Sequence, residues 1–266
     1  MAEREITGRT LVYVHLAHPS AHVRTPQAFN GAFMERGIDA VAVSIDVAPG
    51  DLSALMRGLR GWRNLVGAGV TMPHKGAVYH EVDEVVGLAK HIRTVNTFRR
   101  EPDGRLVGIN TDGAGFVEGL RREGRDPAGR RALLVGTGGA GRSIAFALAD
   151  AGVAELTLAN RTRQKAEELA SELAPLYPRV PIRVGNPDPS AAELVVNATP
   201  LGMHPGDPLP IDIDRLRPGT IVAEIIMSPP RTELMEAAEA RGAVAHPGLP
   251  MLTSQLDMVL DFFGLL

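Results

Sequence analysis

The sequence predicts an α/β protein of two domains, and three observations support this fold class. Short apolar runs alternate with amphipathic stretches along the chain, a pattern typical of α/β proteins. The chain has 266 residues, more than a single domain usually has, and its 44% hydrophobic content is enough for packed cores. The pattern also changes near residue 115, so we expect a domain boundary at about residue 113.

The first half of the chain contains three predicted strands and a predicted hairpin. The strands are apolar runs at residues 11–17 ("LVYVHLA"), 39–47 ("DAVAVSIDV") and 66–72 ("VGAGVTM"). Two further runs, "TVNTFRRE" and "RLVGINTD", flank the turn sequence "PDG" at residues 102–104. Proline, aspartate and glycine are typical turn residues, so these runs predict a β-hairpin.

One helix is clearly marked in this half. Residues 25–37 ("TPQAFNGAFMERG") predict a helix with Thr25 at the N-cap, Pro26 at the first helical position and Gly37 just beyond the end. The N-terminus of this helix, at Thr25 and Pro26, is also a potential site for a carboxylate, because the first backbone N–H groups of a helix have no partner within it.

The second half begins with a strand, a glycine-rich turn and a helix within residues 131–152 ("RALLVGTGGAGRSIAFALADAG"). Three further strands are predicted in "ELTLANR", "ELVVNATP" and "TIVAEIIM". Residues 177–191 ("YPRVPIRVGNPDPSA") are rich in proline and are interpreted as a loop region. This order of elements is that of a nucleotide-binding α/β domain.

Composition excludes several classes of function. The net charge is −3 and aromatic residues make up 4% of the chain, so neither a basic groove nor a stacking platform for nucleic acid is expected, and the ligand should be a small molecule. Cysteine is absent, which excludes disulfides and thiolate chemistry and fits a reducing compartment.

The charged start and the short first apolar run do not resemble a signal peptide, and no run approaches a membrane span of about 18 residues. We therefore expect a cytoplasmic protein that is a monomer or a homodimer.

The glycine-rich turn "VGTGGAG", residues 135–141, follows an apolar strand and opens a helix. Gly136, Gly138 and Gly141 allow a tight turn and a close approach of the backbone to a pyrophosphate, whose charge then lies at the helix N-terminus. This context favours dinucleotide binding over the alternative of a glycine-rich surface turn.

The end of the next strand indicates which dinucleotide binds. An NAD site usually has an acidic residue about 20 positions after the glycines, but this chain has "NRTRQK", residues 160–165. A guanidinium binds a 2′-phosphate that a carboxylate would repel, so NADP is favoured. In the alternative interpretation, Thr162 only caps the next helix and the basic turn is solvated. The helix dipole favours acidic residues in the first turn, so a basic turn there favours the binding of an external anion over this alternative.

Seven short blocks are distributed along nearly the whole chain: "VTMPHK" (70–75), "TVNT" (94–97), "GINTDGAGF" (108–116), "GTGGAGR" (136–142), "NRT" (160–162), "NATPLGM" (197–203) and "GLPMLTSQ" (248–255). In sequence and in order, these blocks resemble those of the shikimate dehydrogenase family. One such block is modest evidence, but seven in order are specific.

The resemblance implies that Lys75 and Asp112 form the catalytic pair. Hydride transfer between a nicotinamide and a carbonyl requires a proton to be delivered to, or removed from, the oxygen. A free lysine side chain has a pKa of about 10.4 and acts as a base near neutrality only where its pocket lowers that value. Taken alone, Lys75 would be interpreted as a surface lysine in a loop, and Asp112 as a helix N-cap; the catalytic interpretation is favoured only together with the family blocks.

The resemblance also implies a substrate domain of residues 1–112 plus 248–266, a Rossmann-like NADP-binding domain of residues 113–247, and an active site in the cleft between them. Substrate-binding residues implied by the matching motifs are Thr25, Thr71, Asn96 and Gln255. No metal site is expected. The implied NADP-binding residues are Gly136, Gly138, Gly139, Ala140, Gly141, Asn160, Arg161, Thr162, Lys165, Thr199 and Gly248.

The chain departs from the family pattern at several polar positions. The first loop, usually H-S-x-S-P, reads "HVRTP", so Thr25 keeps one hydroxyl and Val23 lacks the other. Gly69 stands where the family has asparagine, Met227 where it has tyrosine, and Glu224 where it has aspartate. We therefore expect activity on shikimate that is weaker than usual, with quinate or another cyclic hydroxy acid as the preferred substrate. The alternatives are a quinate or amino-shikimate dehydrogenase and a cofactor-binding regulator without catalytic activity.

Overall fold

The computed structural model describes residues 5–21 and 23–266. These form two compact units: the first runs to Thr111 and includes Leu256–Leu266, and the second is Asp112–Gln255. Each unit has one six-stranded sheet with helices, which confirms the predicted α/β fold class. The predicted limits of the substrate domain (1–112 plus 248–266) and of the NADP-binding domain (113–247) stay a prediction. Within the described residues, no helix is long and apolar enough to cross a membrane.

The sheet of the first unit is mixed, with the order β2-β1-β3-β5-β6-β4. Strand β1 lies between β2 and β3 and is parallel to both, whereas β5 is antiparallel to β3 and to β6. The β5–β6 pair is the predicted hairpin, and Gly104 in its turn has a φ of 91°, which favours glycine. The strands are β1 (Leu11–Ala17), β2 (Ala40–Asp46), β3 (Leu65–Val70), β4 (Glu84–Val85), β5 (Thr97–Arg100) and β6 (Leu106–Ile109).

Apolar side chains cover both faces of this sheet. Val14 and Leu16 of β1 point into one core, whereas Tyr13 points into the other, as the alternation of a strand requires. The second core is closed by the first helix and by the last helix of the chain. The helices of this unit are α1 (Thr25–Glu35), α2 (Leu52–Gly61), α3 (Lys75–Glu81) and α4 (Ala89–Ile92).

The start of α1 differs from the prediction in one detail. Arg24 is at the N-cap, and Thr25 is the first helical residue. The helix has no side-chain cap, because the hydroxyl predicted to provide it lies one residue too far along the chain. Gly37 follows the helix with a φ of 65°, as expected of a residue just beyond a C-terminus.

The sheet of the second unit is entirely parallel, with the order β12-β11-β10-β7-β8-β9. This order is that of the Rossmann fold, in which the chain winds outward from two central strands in opposite directions. The strands are β7 (Arg131–Val135), β8 (Glu155–Ala159), β9 (Ile182–Val184), β10 (Leu194–Asn197), β11 (Ile221–Glu224) and β12 (Val244–His246).

One predicted loop in this unit is wrong. Residues 177–191 contain the edge strand β9, which pairs with β8. Proline is tolerated just before an edge strand. The proline content of the segment therefore led to a loop prediction, although the segment contains a strand of three residues. The helices of this unit are α5 (Asp112–Arg122), α6 (Gly139–Asp150), α7 (Arg163–Leu173) and α8 (Glu233–Ala240), with short 3₁₀ turns at 189–191 and 213–215. The last helix, α9 (Leu249–Phe262), begins in this unit and ends in the first, which also has a 3₁₀ turn at 49–51.

Candidate functional site

The glycine-rich turn connects β7 to α6 at the centre of the parallel sheet. Gly136 has a φ of 98°, which other residues rarely adopt. A Cβ atom on Gly141 would overlap the carbonyl oxygen of Gly136, so this turn can close only with glycine there. Strand β7 lies beside β10, and the direction of winding reverses between these two strands. Ligands of open α/β sheets bind at this switch point.

A cavity of about 670 Å³ opens beside this turn. Seven of the predicted cofactor-binding residues line it: Gly136, Gly138, Asn160, Arg161, Thr162, Lys165 and Thr199. Four do not line it within the described residues, namely Gly139, Ala140 and Gly141, which form the first turn of α6, and Gly248. The sequence analysis missed the loop after β9, where Gly185, Asn186 and Pro187 form another wall; its "GNP" turn sequence was the available signal.

The basic turn before α7 is not neutralised by the protein itself. Thr162 is at the N-cap but makes no side-chain cap hydrogen bond, and the first turn of the helix has no acidic residue. Arg163 is paired with Glu167 at 2.8 Å. Among the described residues, Arg161 and Lys165 have no acidic partner, and both line the cavity. The turn is therefore suited to an external anion such as a 2′-phosphate.

Asn160 connects the basic turn to the glycine-rich turn. Its Oδ1 accepts a hydrogen bond from the backbone N–H of Thr137 at 3.1 Å, and its Nδ2 donates to the carbonyl of Thr162 at 2.8 Å. The Thr137 hydroxyl is buried without a hydrogen-bond partner among the described residues, a costly state that a phosphate oxygen would relieve. These features fit a dinucleotide phosphate at the start of α6.

A buried network orients the loop after β10. The Thr199 hydroxyl donates to Asn197 Oδ1 at 2.6 Å and accepts from the backbone N–H of Leu201 at 3.1 Å. Asn197 Nδ2 in turn donates to Glu224, which also accepts from Thr232 Oγ1 at 2.9 Å. Burial raises the pKa of Glu224, and these hydrogen bonds oppose that rise. Glu224 therefore serves to position the Thr199 loop.

Gly248 lies against the backbone of Ile225 and Ile226 in the second unit. A Cβ atom on Gly248 would overlap the carbonyl oxygen of Ile226, so the backbone after β12 approaches that of the loop after β11 closely. Met227, the next residue in that loop, is half exposed. The departure at position 227 thus immediately follows the segment that contacts a predicted nicotinamide-binding glycine.

Lys75 is the first residue of α3 and is half-buried, so it lies in a helix and not in a loop. Its carbonyl accepts a hydrogen bond from the backbone N–H of Val95 at 3.0 Å. The preceding residue, His74, is buried, and its Nε2 donates to the carbonyl of Val47 at 2.9 Å. Both contacts hold the start of α3 in place, which fixes the point from which the lysine side chain extends.

Asn96 is buried and connects two chain segments that carry other site residues. Its Oδ1 accepts from the backbone N–H of Thr111 at 2.9 Å, and its Nδ2 donates to the Thr111 hydroxyl at 3.1 Å. Its carbonyl accepts from the N–H of Val70 at 2.7 Å, at the end of β3. The residue after Thr111 is Asp112, which is buried and is the first residue of α5, not its N-cap.

The remaining predicted substrate-binding residues lie at element ends or on a helix face. Thr71 follows β3, and its N–H donates to the carbonyl of Leu16 at 3.0 Å. Thr25 begins α1 and is half-buried. Gln255 lies on α9 against α5, where a Cβ atom on Gly115 would overlap its side chain. His22, the first residue of the "HVRTP" loop, lies outside the described residues.

The first unit therefore gathers three predicted residues at one end of its sheet: Thr71 and Lys75, which lie four residues apart, and Asn96, whose segment is hydrogen-bonded to both of theirs. Asp112, Gln255 and the cofactor-binding residues belong to the second unit.

The glycine that follows Asp112 provides a test of this local packing. A Cβ atom on Gly113 would overlap the carbonyl oxygen of Ser143 in α6, so we expect Gly113→Ala to reduce the free energy of unfolding by about 1–3 kcal/mol. Gly58→Ala is the matched control, because Gly58 is exposed in α2 with open space around it. That change should instead stabilise the protein by up to about 1 kcal/mol. Urea unfolding measures both, and equal effects would contradict the packing described.

Two family models match the chain. The model of the shikimate dehydrogenase substrate binding domain matches residues 16–98, and the model named shikimate / quinate 5-dehydrogenase matches residues 120–199. The chain is also 42% identical over 261 residues to the shikimate dehydrogenase (NADP(+)) of Rubrobacter xylanophilus, covering 96% of this chain and 91% of that protein.

Solved structures of similar fold include a shikimate 5-dehydrogenase and a 5-ketofructose reductase. The structure of shikimate 5-dehydrogenase from Thermus thermophilus in complex with NADP(H) and shikimate has a TM-score of 0.88 at 31% identity, over 96% of this chain and 94% of that one. The ligand-free 5-ketofructose reductase of Gluconobacter sp. strain CHM43 has a TM-score of 0.90 at 30% identity, over 97% and 94%. With the parallel sheet, the glycine-rich turn and the matched sequence, we conclude that this chain belongs to the shikimate dehydrogenase family of oxidoreductases.

Proposed function

We propose that this protein is an NADP-dependent oxidoreductase that interconverts shikimate and 3-dehydroshikimate or a closely related cyclic hydroxy acid. The observation that carries the proposal is the 42% identity, over 96% of the chain, to a protein named shikimate dehydrogenase (NADP(+)). The basic turn supports the choice of cofactor, because Arg161 and Lys165 line the cavity without acidic partners among the described residues.

NADP supplies the hydride acceptor when it is bound. In the proposed arrangement, the glycine-rich turn and the N-terminus of α6 hold its pyrophosphate, and Asn160, Arg161, Thr162 and Lys165 hold its 2′-phosphate end. Thr199 and Gly248 lie on the nicotinamide side. Residues 113–247 are thus assigned to the cofactor and residues 1–112 plus 248–266 to the substrate.

Lys75 and Asp112 are the proposed proton-transfer pair. During reduction, Lys75 Nζ delivers a proton to the substrate carbonyl oxygen as it becomes a hydroxyl, and in the reverse direction the lysine removes that proton. Asp112 orients the lysine and passes the proton on. Thr25, Thr71, Asn96 and Gln255 bind the substrate hydroxyls and carboxylate. Charged hydrogen bonds of this kind contribute about 1.5–3 kcal/mol each.

The second candidate function is oxidation or reduction of a different small polyol or hydroxy acid. It is favoured by the loss of three polar side chains, at Val23, Gly69 and Met227, and by the similarity to a 5-ketofructose reductase. Quinate, amino-shikimate and 5-ketofructose therefore belong in the substrate panel. We further propose a cytoplasmic location, supported by the absence of cysteine, and a monomer or homodimer.

The test compares initial rates for wild type, Val23→Ser and Val23→Ala on shikimate and quinate, with NADP and with NAD. We expect slow oxidation of shikimate by wild type and a KM about 10–100-fold lower in the serine variant, because the hydroxyl restores one hydrogen bond to the carboxylate. Val23→Ala controls for the change in bulk and should not lower the KM. If wild type turns over none of the panel with NADP, the proposed function is wrong and a non-catalytic cofactor-binding regulator is favoured.

A further inference from the structure

Strand β2 is the one edge strand, among the described residues, that is long enough to pair with another strand. Each of the two sheets ends in two edge strands. Three of these four, β4, β9 and β12, have two or three residues, and such short edges offer few backbone groups to another chain. Strand β2 has seven residues, Ala40–Asp46. Its free edge is therefore where a further strand would be added.

The sequence of β2 favours pairing of the strand with a copy of itself. Residues 40–45 ("AVAVSI") are mostly β-branched or apolar, with no charge, no proline and no glycine. Segments of this composition self-associate when they lie exposed on a sheet edge. Val43 in the middle of the strand is 42% exposed. Such an edge needs protection in a protein that stays soluble, and native proteins provide it in several ways.

The hydrogen bonds between β1 and β2 show which residues of β2 face the open edge. The carbonyl of Asp39 accepts from the N–H of Leu11, and the N–H of Val47 donates to the carbonyl of Ala17. The two strands pair without a break between these points, so the odd-numbered residues of β2 bond to β1. The backbone N–H and C=O groups of the even-numbered residues, among them 42 and 44, therefore face outward.

The side chain of Asn30 bonds both outward groups of Ala42. The Ala42 N–H donates to Asn30 Oδ1 at 2.8 Å, and Asn30 Nδ2 donates to the Ala42 carbonyl at 2.9 Å. A carboxamide has a donor and an acceptor, as a peptide group has, so Asn30 makes the two bonds that a residue of an added strand would make. Asn30 lies on α1, which is held beside β2 by the buried Phe29 and Phe33.

We propose that Asn30 closes this edge of the sheet, so that β2 of a second copy of this chain does not pair with it. Two-fold pairing would place β2 antiparallel to its own copy, and both copies would have to break the Asn30 bonds at Ala42. The outward groups of Ser44 stay open, but they lie between the closed position and the exposed acid Asp46, which is too short a stretch for stable pairing. A homodimer of this protein would therefore use another surface.

The test compares the molar masses of wild type and Asn30→Ala by light scattering over a wide range of protein concentrations. Alanine does not reach the Ala42 backbone, so the outward groups of Ala42 and Ser44 form a continuous open row. We expect the variant to associate at a concentration about tenfold or more below that needed by wild type. Asn30→Ala/Val43→Lys should return to the mass of wild type, because a lysine on an edge strand opposes pairing.

Asn64→Ala is the matched control for loss of stability. Asn64 also joins two chain segments, since its Nδ2 donates to the carbonyl of Thr10 at 3.0 Å and its Oδ1 accepts from Trp62 Nε1 at 2.7 Å. It precedes β3, which lies inside the sheet and not at an edge. The change should lower the melting temperature about as much as Asn30→Ala does, and it should leave the molar mass equal to that of wild type.

Three results would overturn the inference. The first is a folded Asn30→Ala protein with the mass of wild type at every concentration. The second is equal association of Asn64→Ala, which would mean that reduced stability alone causes association. The third is association of Asn30→Ala/Val43→Lys as strong as that of Asn30→Ala, which would place the contact away from β2.

Amide hydrogen exchange of wild type, followed by NMR, decides if Asn30→Ala does not fold. The Ala42 N–H, which is bonded to Asn30, should exchange slowly, and the outward Ser44 N–H should exchange fast at low and at high protein concentration. Protection of Ser44 that rises with concentration would mean that copies pair along β2, and fast exchange at Ala42 would mean that the edge is not closed. Either result would overturn the inference. These measurements need neither substrate nor cofactor, so their outcome is independent of the proposed function.

Discussion

Lys75→Met is expected to reduce kcat about 10²–10⁴-fold, the usual contribution of a positioned proton-transfer group. Methionine has a similar length but cannot deliver or accept a proton. The KM for NADP should stay unchanged and the protein should remain folded, because the Lys75 carbonyl and His74 keep their contacts at the start of α3. Steady-state kinetics and thermal unfolding measure these quantities.

The control is Lys90→Met, which removes an exposed lysine from α4 and should leave kcat within about twofold. Asp112→Asn should reduce kcat by a similar factor to Lys75→Met. The double variant should be scarcely worse than either single one, since residues that act as a unit are strongly non-additive. A Lys75→Met protein with normal kcat would exclude this lysine from proton transfer.

Arg161→Ala is expected to lower kcat/KM for NADP about 10–100-fold while the value for NAD changes less than about threefold. The reason is that the guanidinium forms a charge-assisted contact with the 2′-phosphate, worth about 1.5–3 kcal/mol, and NAD lacks this phosphate. The exposed side chain has no acidic partner among the described residues, so its removal should not affect folding. Initial rates with both cofactors measure the change in preference.

Arg163→Ala is the matched control, because this arginine lies in the same turn but is paired with Glu167. It should lower kcat/KM for NADP less than about threefold. If Arg161→Ala and Arg163→Ala have equal effects, general positive charge at the turn attracts the cofactor and no specific phosphate contact is made. If both cofactors are affected equally, Arg161 binds a part of the molecule that NAD and NADP share.

The alternating pattern of the chain was sufficient to predict the class of fold and most strands. The glycine-rich turn with the helix that follows it and the β5–β6 hairpin were also predictable, because turn chemistry and helix periodicity are local properties. Two predictions were wrong in detail. The proline-rich segment was predicted to be a loop but contains β9, and Thr25 was predicted to be the N-cap of α1 but is its first helical residue.

The sequence by itself determined the residue types of the site: a lysine and an aspartate in blocks typical of the family, and a basic turn without an acid after β8. Only the tertiary structure decided which groups meet. It showed the Asn96 amide bonded to Thr111, the loop at Gly185 as a wall of the cavity, and the space beside Gly69 filled by Tyr13 and His15. These contacts join residues 15 or more positions apart, and two residues far apart in the chain meet only once the strands have paired.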